Sequence, residues 1–235
     1  MGTSKGYLPP TGYLWTKAKR SVTDMVKNNF ESESIGKAVG NYARASRGTS
    51  QGKISNLAKS GSKAVGFFGL AKTEGFNAAL EKSGLSDLIG KDNLEVYSGL
   101  LDYFSGNGST LDDSVIRDSI GEVMQEQLSN IEEGKSFEDM ISDLDMNQFI
   151  SDLITKFVQK DFLLNFAEKI EAKCGSIDKY KTAENQIKDF IQLSISSSYS
   201  AEELSSIDWF KQEGREFIDS RCNEVLRVFD VYLGD

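Results

Sequence analysis

The sequence predicts an all-α protein, a helical bundle with a flexible, Gly-rich N-terminal tail. Three observations carry that prediction. Both prolines, Pro9 and Pro10, sit in the opening residues, so no proline ring interrupts a helix anywhere beyond residue 10. Apolar residues recur at three- and four-residue spacing along most of the chain, and strict alternation persists nowhere. Glycine and serine clusters, RGTSQG at 47–52 and SGNGST at 105–110, punctuate the periodic stretches as loops. With 39% hydrophobic and 27% charged residues the chain is apolar enough to bury a core.

Residues 1–14 read as an extended tail, because Pro9-Pro10 favours polyproline II and Gly2, Gly6 and Gly12 add conformational freedom. A short helix follows from Trp15 to about Asn28, with Trp15, Ala18, Val22, Met25 and Val26 near one face. Over 33–46, Ile35, Val39, Tyr42 and Ala43 fall at helical spacing. Thr49 or Ser50 can cap the next helix, 51–70, whose stripe is Ile54, Leu57, Ala58, Gly61, Val65 and Phe68. A short helix at 73–83 stops at Gly84, and 85–104 holds two short apolar pieces. Thr110 with Asp113 three residues on marks the start of a helix carrying Ile116, Ile120, Val123, Met124, Leu128 and Ile131 and ending at Gly134. Residues 146–173 are apolar on more than one side (Phe149, Ile150, Leu153, Ile154, Phe157, Phe162, Phe166, Ile170), as a buried helix requires. Another helix spans 177–195. Ser200 and Glu203 form a capping box for a last helix running from Leu204 to Phe229, with Trp209 in its core.

Charge divides the chain. Residues 1–82 hold 13 Lys/Arg against five Asp/Glu, a net +8, and 11 of the 21 glycines. Residues 83–235 hold 14 Lys/Arg against 31 Asp/Glu, a net −17. The expected organisation is an extended tail at 1–14, a basic Gly/Ala/Ser-rich helical region at 15–84 and an acidic helical bundle at 85–235. The basic residues are scattered and match no named nucleic-acid motif, so they serve either nucleic acid, the less favoured reading, or an acidic protein surface, the chain's own or a partner's.

The chain contains no histidine. That removes Ser-His-Asp and Cys-His nucleophile pairs, histidine ligands for zinc or iron, and the commonest acid/base group near neutral pH. DLDMNQF (143–149) has acids at alternate positions like a calcium loop, but Gln148 replaces the required glycine and Ile154 the final glutamate; it reads as a helix start capped by Asp145 or Asn147. Gly61 and Gly66 have P-loop spacing, yet Phe67-Phe68 follows instead of Lys-Ser/Thr. The acidic pairs Asp112-Asp113, Glu132-Glu133 and Glu202-Glu203 read as solvated charge. Cys174 and Cys222 are too few for a disulfide framework and read as buried free thiols of a cytoplasmic protein. No stretch is long enough to span a membrane, and the N-terminus lacks a signal peptide's apolar run. The expectation is a non-enzyme with no cofactor and no catalytic or metal site.

The opening MGTSKGYLPPTGYLW places a small Gly2 after Met1. Met1 would be removed there, leaving a Gly2 α-amine of pKa near ~7.7–8.0 as a usable nucleophile. Myristoylation needs Ser or Thr at residue 6, where this chain has Gly6. Together with MGTS and its Gly/Ser, aromatic and proline tail, four stretches carry a family resemblance: GNYARASRGTSQGKISNLAKSGSKAVGFFG (40–69), AALEKSGLSDLIG (78–90), GLLDYF (99–104) and LDDSVIRDSIGEVMQEQL (111–128). In pattern and order the chain resembles the QatB component of the Qat anti-phage defence systems. That resemblance implies a defence complex with a P-loop ATPase (QatA-like), a QueC-like enzyme (QatC-like) and a TatD-like nuclease (QatD-like). QueC enzymes act on 7-deazaguanine precursors, so it also implies a 7-deazaguanine-type group attached at Gly2. In that reading Gly2, Thr3 and Ser4 form the modification and partner-recognition segment. Tyr7, Pro9, Pro10 and Trp15 form the partner-binding residues, with Trp15 either an interface anchor or core.

Overall fold

A computed structural model describes residues 10–106, 108, 110–129, 137–195 and 201–234. Among these residues the chain is all-α, with no strand. The described residues form two compact units, one drawn from 1–51, 158–196 and 223–235, the other from 52–157 and 197–222.

The first unit contains α1 (Tyr13–Lys27) and α2 (Ser32–Thr49), the later residues of α8 (Met146–Cys174), α9 (Ile177–Ser194), the end of α11 (Gln212–Val228) and a 3-10 turn at Phe229–Leu233. Trp15, Ala18, Val22 and Met25 form the buried stripe of α1, at the spacing a 3.6-residue period requires. α1 ends where Asn28, Asn29 and Phe30 turn the chain, the Phe30 N–H reaching the Met25 carbonyl at 3.0 Å. The core is aromatic: Tyr42 meets Phe162 edge to face at 5.3 Å and Trp15 at 6.2 Å, and Phe162 lies 5.0 Å from Phe166. Inside it, the Tyr42 hydroxyl donates to Asp161 Oδ2 at 2.7 Å, a fully buried carboxylate 119 residues further along the chain.

The second unit contains α3 (Gln51–Glu74), α4 (Phe76–Lys82), a 3-10 turn at Ser86–Leu88, α5 (Asn93–Ser105), α6 (Leu111–Ser129), α7 (Phe137–Asp143), the start of α8, α10 (Ala201–Ser205) and the start of α11. Phe68 anchors its core, with Phe104 at 5.4 Å and Phe149 at 5.3 Å. Helix starts are capped by side chains: Asp92 accepts from the Glu95 N–H, Thr110 from Asp113, and Asp145 from both Asn147 and Gln148. The last of these is the helix start expected at DLDMNQF. Gly84, the expected stop of α4, has φ +73.

The loop expected at RGTSQG shrinks to Ser50, because α2 runs through Thr49 and α3 starts at Gln51, and the Thr49 hydroxyl, expected as a possible cap of α3, donates to the Ala45 carbonyl one turn back in α2. Two further features differ from expectation. The single last helix is interrupted: α10 ends at Ser205 and α11 begins at Gln212. Asp208 Oδ1 accepts the Phe210 N–H and the Asp208 carbonyl the Lys211 N–H, so the aspartate offers the backbone a turn in competition with the helix. Trp209 is consequently half-buried, with its indole N–H on the Leu204 carbonyl and its ring 5.5 Å from Phe217. The other is α7, a seven-residue helix too short to show periodicity in the sequence. The expected end at Gly134 and the Ser200 cap lie outside the described residues.

Gly40 faces the 3-10 turn at Phe229–Leu233 at backbone contact. A Cβ there would lie 2.7 Å from the Phe229 carbonyl oxygen and 3.0 Å from Leu233 Cδ2. Gly69, inside α3, has nothing within 4 Å of the same position. Gly40→Ala is therefore expected to destabilise by about 1–3 kcal/mol through overpacking. Gly69→Ala should stabilise by about 0.5–1 kcal/mol through helix propensity. Thermal melts of the two variants, which differ only in position, check both signs.

Candidate functional site

Of the residues expected at the N-terminal site, Gly2, Thr3, Ser4, Tyr7 and Pro9 lie outside the described residues; Pro10 and Trp15 are described. Both belong to a clasp built on α1. The Lys19 ammonium donates to the Pro10 carbonyl at 3.1 Å. Lys169 on α8 donates to the Lys19 carbonyl at 2.7 Å. Burial, with the Lys173 and Lys19 charges, holds the Lys169 ammonium below the usual lysine range.

Trp15 lies in the core, 1% exposed. Its indole N–H donates to Thr49 Oγ1 at 2.8 Å, and its ring packs on Tyr42 and Phe166. The opposite face of α1 is open: Tyr13, 72% exposed, carries the Lys17 ammonium 4.8 Å from its ring, and Arg20, Asp24 and Lys27 continue the same stripe. Position 10 thus becomes a fixed point of the chain, held from one side by Lys19 and, through the first turn of α1, by Trp15. The sequence names Pro10 and Trp15 as partner-binding residues; the structure places Trp15 in the core and Pro10 against Lys19, and the sequence singles out neither Lys19 nor Lys169. No spacing rule links a lysine to a carbonyl nine residues earlier across a helix start, or to another lysine 150 residues later.

The basic region meets part of the acidic one within each unit. Arg47 takes both oxygens of Asp230, at 2.6 and 2.7 Å, with Arg44 4.0 Å from the same carboxylate. Lys53 pairs with Asp112 at 2.8 Å. Lys72 donates to the Ser142 and Leu144 carbonyls at the end of α7. Short-range pairs take Lys27 (Asp24), Lys37 (Glu33) and Lys82 (Glu74). Of the two readings of the basic segment, contact with the chain's own acidic residues is observed for these cations other than Lys72, whose partners are carbonyls. Cys174 and Cys222 are both buried, and neither is in a disulfide. Among the described residues no group of three potential metal ligands occurs, and no helix is long and apolar enough to cross a membrane.

The family model described as Qat anti-phage system associated protein QatB matches residues 46–229, more than three quarters of the chain. No curated protein and no solved structure matched the chain significantly.

If the aromatic contacts fix the first turn of α1, Trp15→Ala should cost about 3–5 kcal/mol of stability, read from denaturant unfolding. Thr49→Val removes the indole's acceptor and the hydroxyl's own bond to the Ala45 carbonyl while leaving the rings packed, and should cost about 0.5–1.5 kcal/mol. Equal losses for the two variants would show that the hydrogen bond, not ring burial, carries the anchor.

Proposed function

The chain belongs to the QatB family of anti-phage defence components, and on that premise we propose that it works as a non-enzymatic subunit of the defence complex. In this reading its helices dock an ATPase and a QueC-like enzyme, with a TatD-like nuclease as a further partner, and its N-terminal MGTS segment is the acceptor of a 7-deazaguanine-type group at Gly2. The observation that carries the reading is the clasp at Pro10. It supports presentation of the segment from a defined point on α1. Gly2 and Pro10 are eight residue steps apart, a reach of at most about 29 Å at about 3.6 Å per step.

The rest of the chain is consistent with such a role. A sequence without histidine supplies little acid/base machinery of its own, so the chemistry falls to partner enzymes. The exposed stripe of Tyr13, Lys17 and Arg20 on α1 lies beside the clasp and offers a partner an aromatic anchor flanked by cations. A nucleic-acid role for the basic region has less support, because Arg47, Lys53, Lys37 and Lys82 are already paired with carboxylates.

Intact-protein mass spectrometry of the chain produced with and without the QueC-like partner tests the modification. The expected result is loss of Met1 in both preparations and an added mass, mapping to Gly2, only with the partner. An unmodified Gly2 in the presence of an active partner would discard the acceptor role. Since the neutral amine is the nucleophile, the extent of modification in a fixed time should rise with pH and level off above its pKa of about 7.7–8.0. Affinity purification from cells expressing the whole operon tests the subunit role; a chain recovered alone under conditions that retain the other subunits together would overturn it.

A further inference from the structure

A second polar site lies in the second unit, away from the N-terminal clasp. Residues of α3, the end of α5 and the start of α6 enclose a cleft of about 280 Å³. On its α3 wall are Asn56, Lys59, Ser60 and Lys63, one turn apart and so on one face of the helix. Lys63 is half-buried. Its ammonium sits 4.3 Å from the centre of the Tyr103 ring and donates to the Tyr103 carbonyl at 2.7 Å. That carbonyl is neutral, so the contact orients the ammonium without cancelling its charge. Burial, with smaller contributions from the Lys59 and Arg215 charges, pushes the Lys63 ammonium below the usual lysine range. Among the described residues no carboxylate forms an ion pair with Lys59, Lys63 or Arg215. Lys59 and Lys63 thus line one wall with no ion-pair partner among the described residues, in a chain that elsewhere pairs most of its basic region with acids or carbonyls.

Ser60 adds a hydroxyl on the same wall. It is 9% exposed, lines the cleft, and makes no hydrogen bond among the described residues. Its oxygen faces the cleft, where it can donate to or accept from a ligand. The facing wall carries the opposite sign. Asp102 is neutralised by Arg117 at 2.6 Å, whereas the Asp113 carboxylate, in the first turn of α6, has no ion-pair partner among the described residues. A site with cations and a hydroxyl on one wall and an acceptor-only carboxylate on the other matches a ligand with an anion at one end and hydroxyl donors at the other.

We propose that this cleft binds a phosphate ester of a sugar, with its phosphate on Lys59, Lys63 and Ser60 and its sugar hydroxyls donating to Asp113. The volume suits a single nucleotide-sized group rather than a peptide. The ester can come from a free nucleotide or from the end of an oligonucleotide, which offer the same chemistry to the cleft.

Isothermal titration of the full-length chain with inorganic phosphate, ribose 5-phosphate, a nucleoside 5′-monophosphate and a 5′-phosphorylated oligoribonucleotide tests the site. The expected result is saturable binding of the esters, tighter than inorganic phosphate. Comparison of the last two ligands identifies the source: equal affinity assigns a nucleotide site, and tighter binding of the oligonucleotide assigns a strand end. Lys63→Met keeps the apolar stem and removes the charge, and should weaken every ligand about tenfold or more. Lys59→Ala, at an exposed position, is the second variant and should weaken binding without unfolding the protein. Asp113→Asn should weaken the esters and leave inorganic phosphate unchanged. No binding at millimolar ligand overturns the proposal, as does wild-type affinity in both lysine variants. The assay needs no partner, so its failure leaves the complex-subunit reading intact.

Discussion

The first unit depends on placing a carboxylate where water does not reach. Asp161 is fully buried, and a buried carboxylate must be hydrogen-bonded for the fold to tolerate it. The Tyr42 hydroxyl meets that requirement at 2.7 Å, which sets the position of α2 along α8. Once Tyr42 is placed, its ring dictates where Phe162, Phe166 and Trp15 can pack. Trp15 then fixes the first turn of α1, and the first turn places Pro10 within reach of Lys19. The geometry of the chain's N-terminal exit thus follows from a hydrogen bond deep in the core. Side chains there cannot shift by much in a close-packed interior.

Charge works differently from burial. Part of the basic segment is satisfied by the chain's own acids: one Arg47 nitrogen, Nη2, reaches both oxygens of Asp230, 183 residues along the chain. Such a pair contributes more than a fully exposed ion pair, because Arg47 is mostly shielded from water. The same close contact between α2 and the final turn depends on Gly40, where a side chain would meet the Phe229 carbonyl. Glycines in the basic segment are therefore in part a packing requirement. The cations left without carboxylates, Lys59 and Lys63 among them, are the ones whose positions call for an external explanation.

The sequence made the helices legible because their apolar stripes are long: α1, α2, α3, α8 and α9 all match segments read from period alone. Local chemistry was also readable, since a cap such as Asp145 acts within three residues of itself. Features set by contacts distant in sequence were not. The interruption at 206–211 rests on an aspartate turn that an apolar pattern running through Leu204, Ile207 and Phe210 conceals. α7 shows too few turns for a period, and its place depends on Phe137 meeting Phe76 at 5.5 Å. Trp15 read equally as core or interface, and only tertiary burial distinguishes them. Lys19, Lys169 and the Lys63 cleft carry no motif, because their partners are carbonyls, a ring and other cations contributed by distant segments.

A modification acceptor and an enzyme that modifies it face a geometric problem. The acceptor must enter a cleft, so it needs length and slender residues, while the body that carries it must stay docked. A short tether rooted on a rigid element meets both demands. On the proposed reading, with the body bound to its partner, eight residue steps of at most about 29 Å would confine the amine to a small volume, and short tethers give effective concentrations in the millimolar range. Loosening the root at Pro10 lengthens the tether and dilutes its end without altering the amine's reactivity. On the proposed reading, the aromatic core of the first unit therefore acts on the chemistry only through distance: it holds the point from which the N-terminus is measured out.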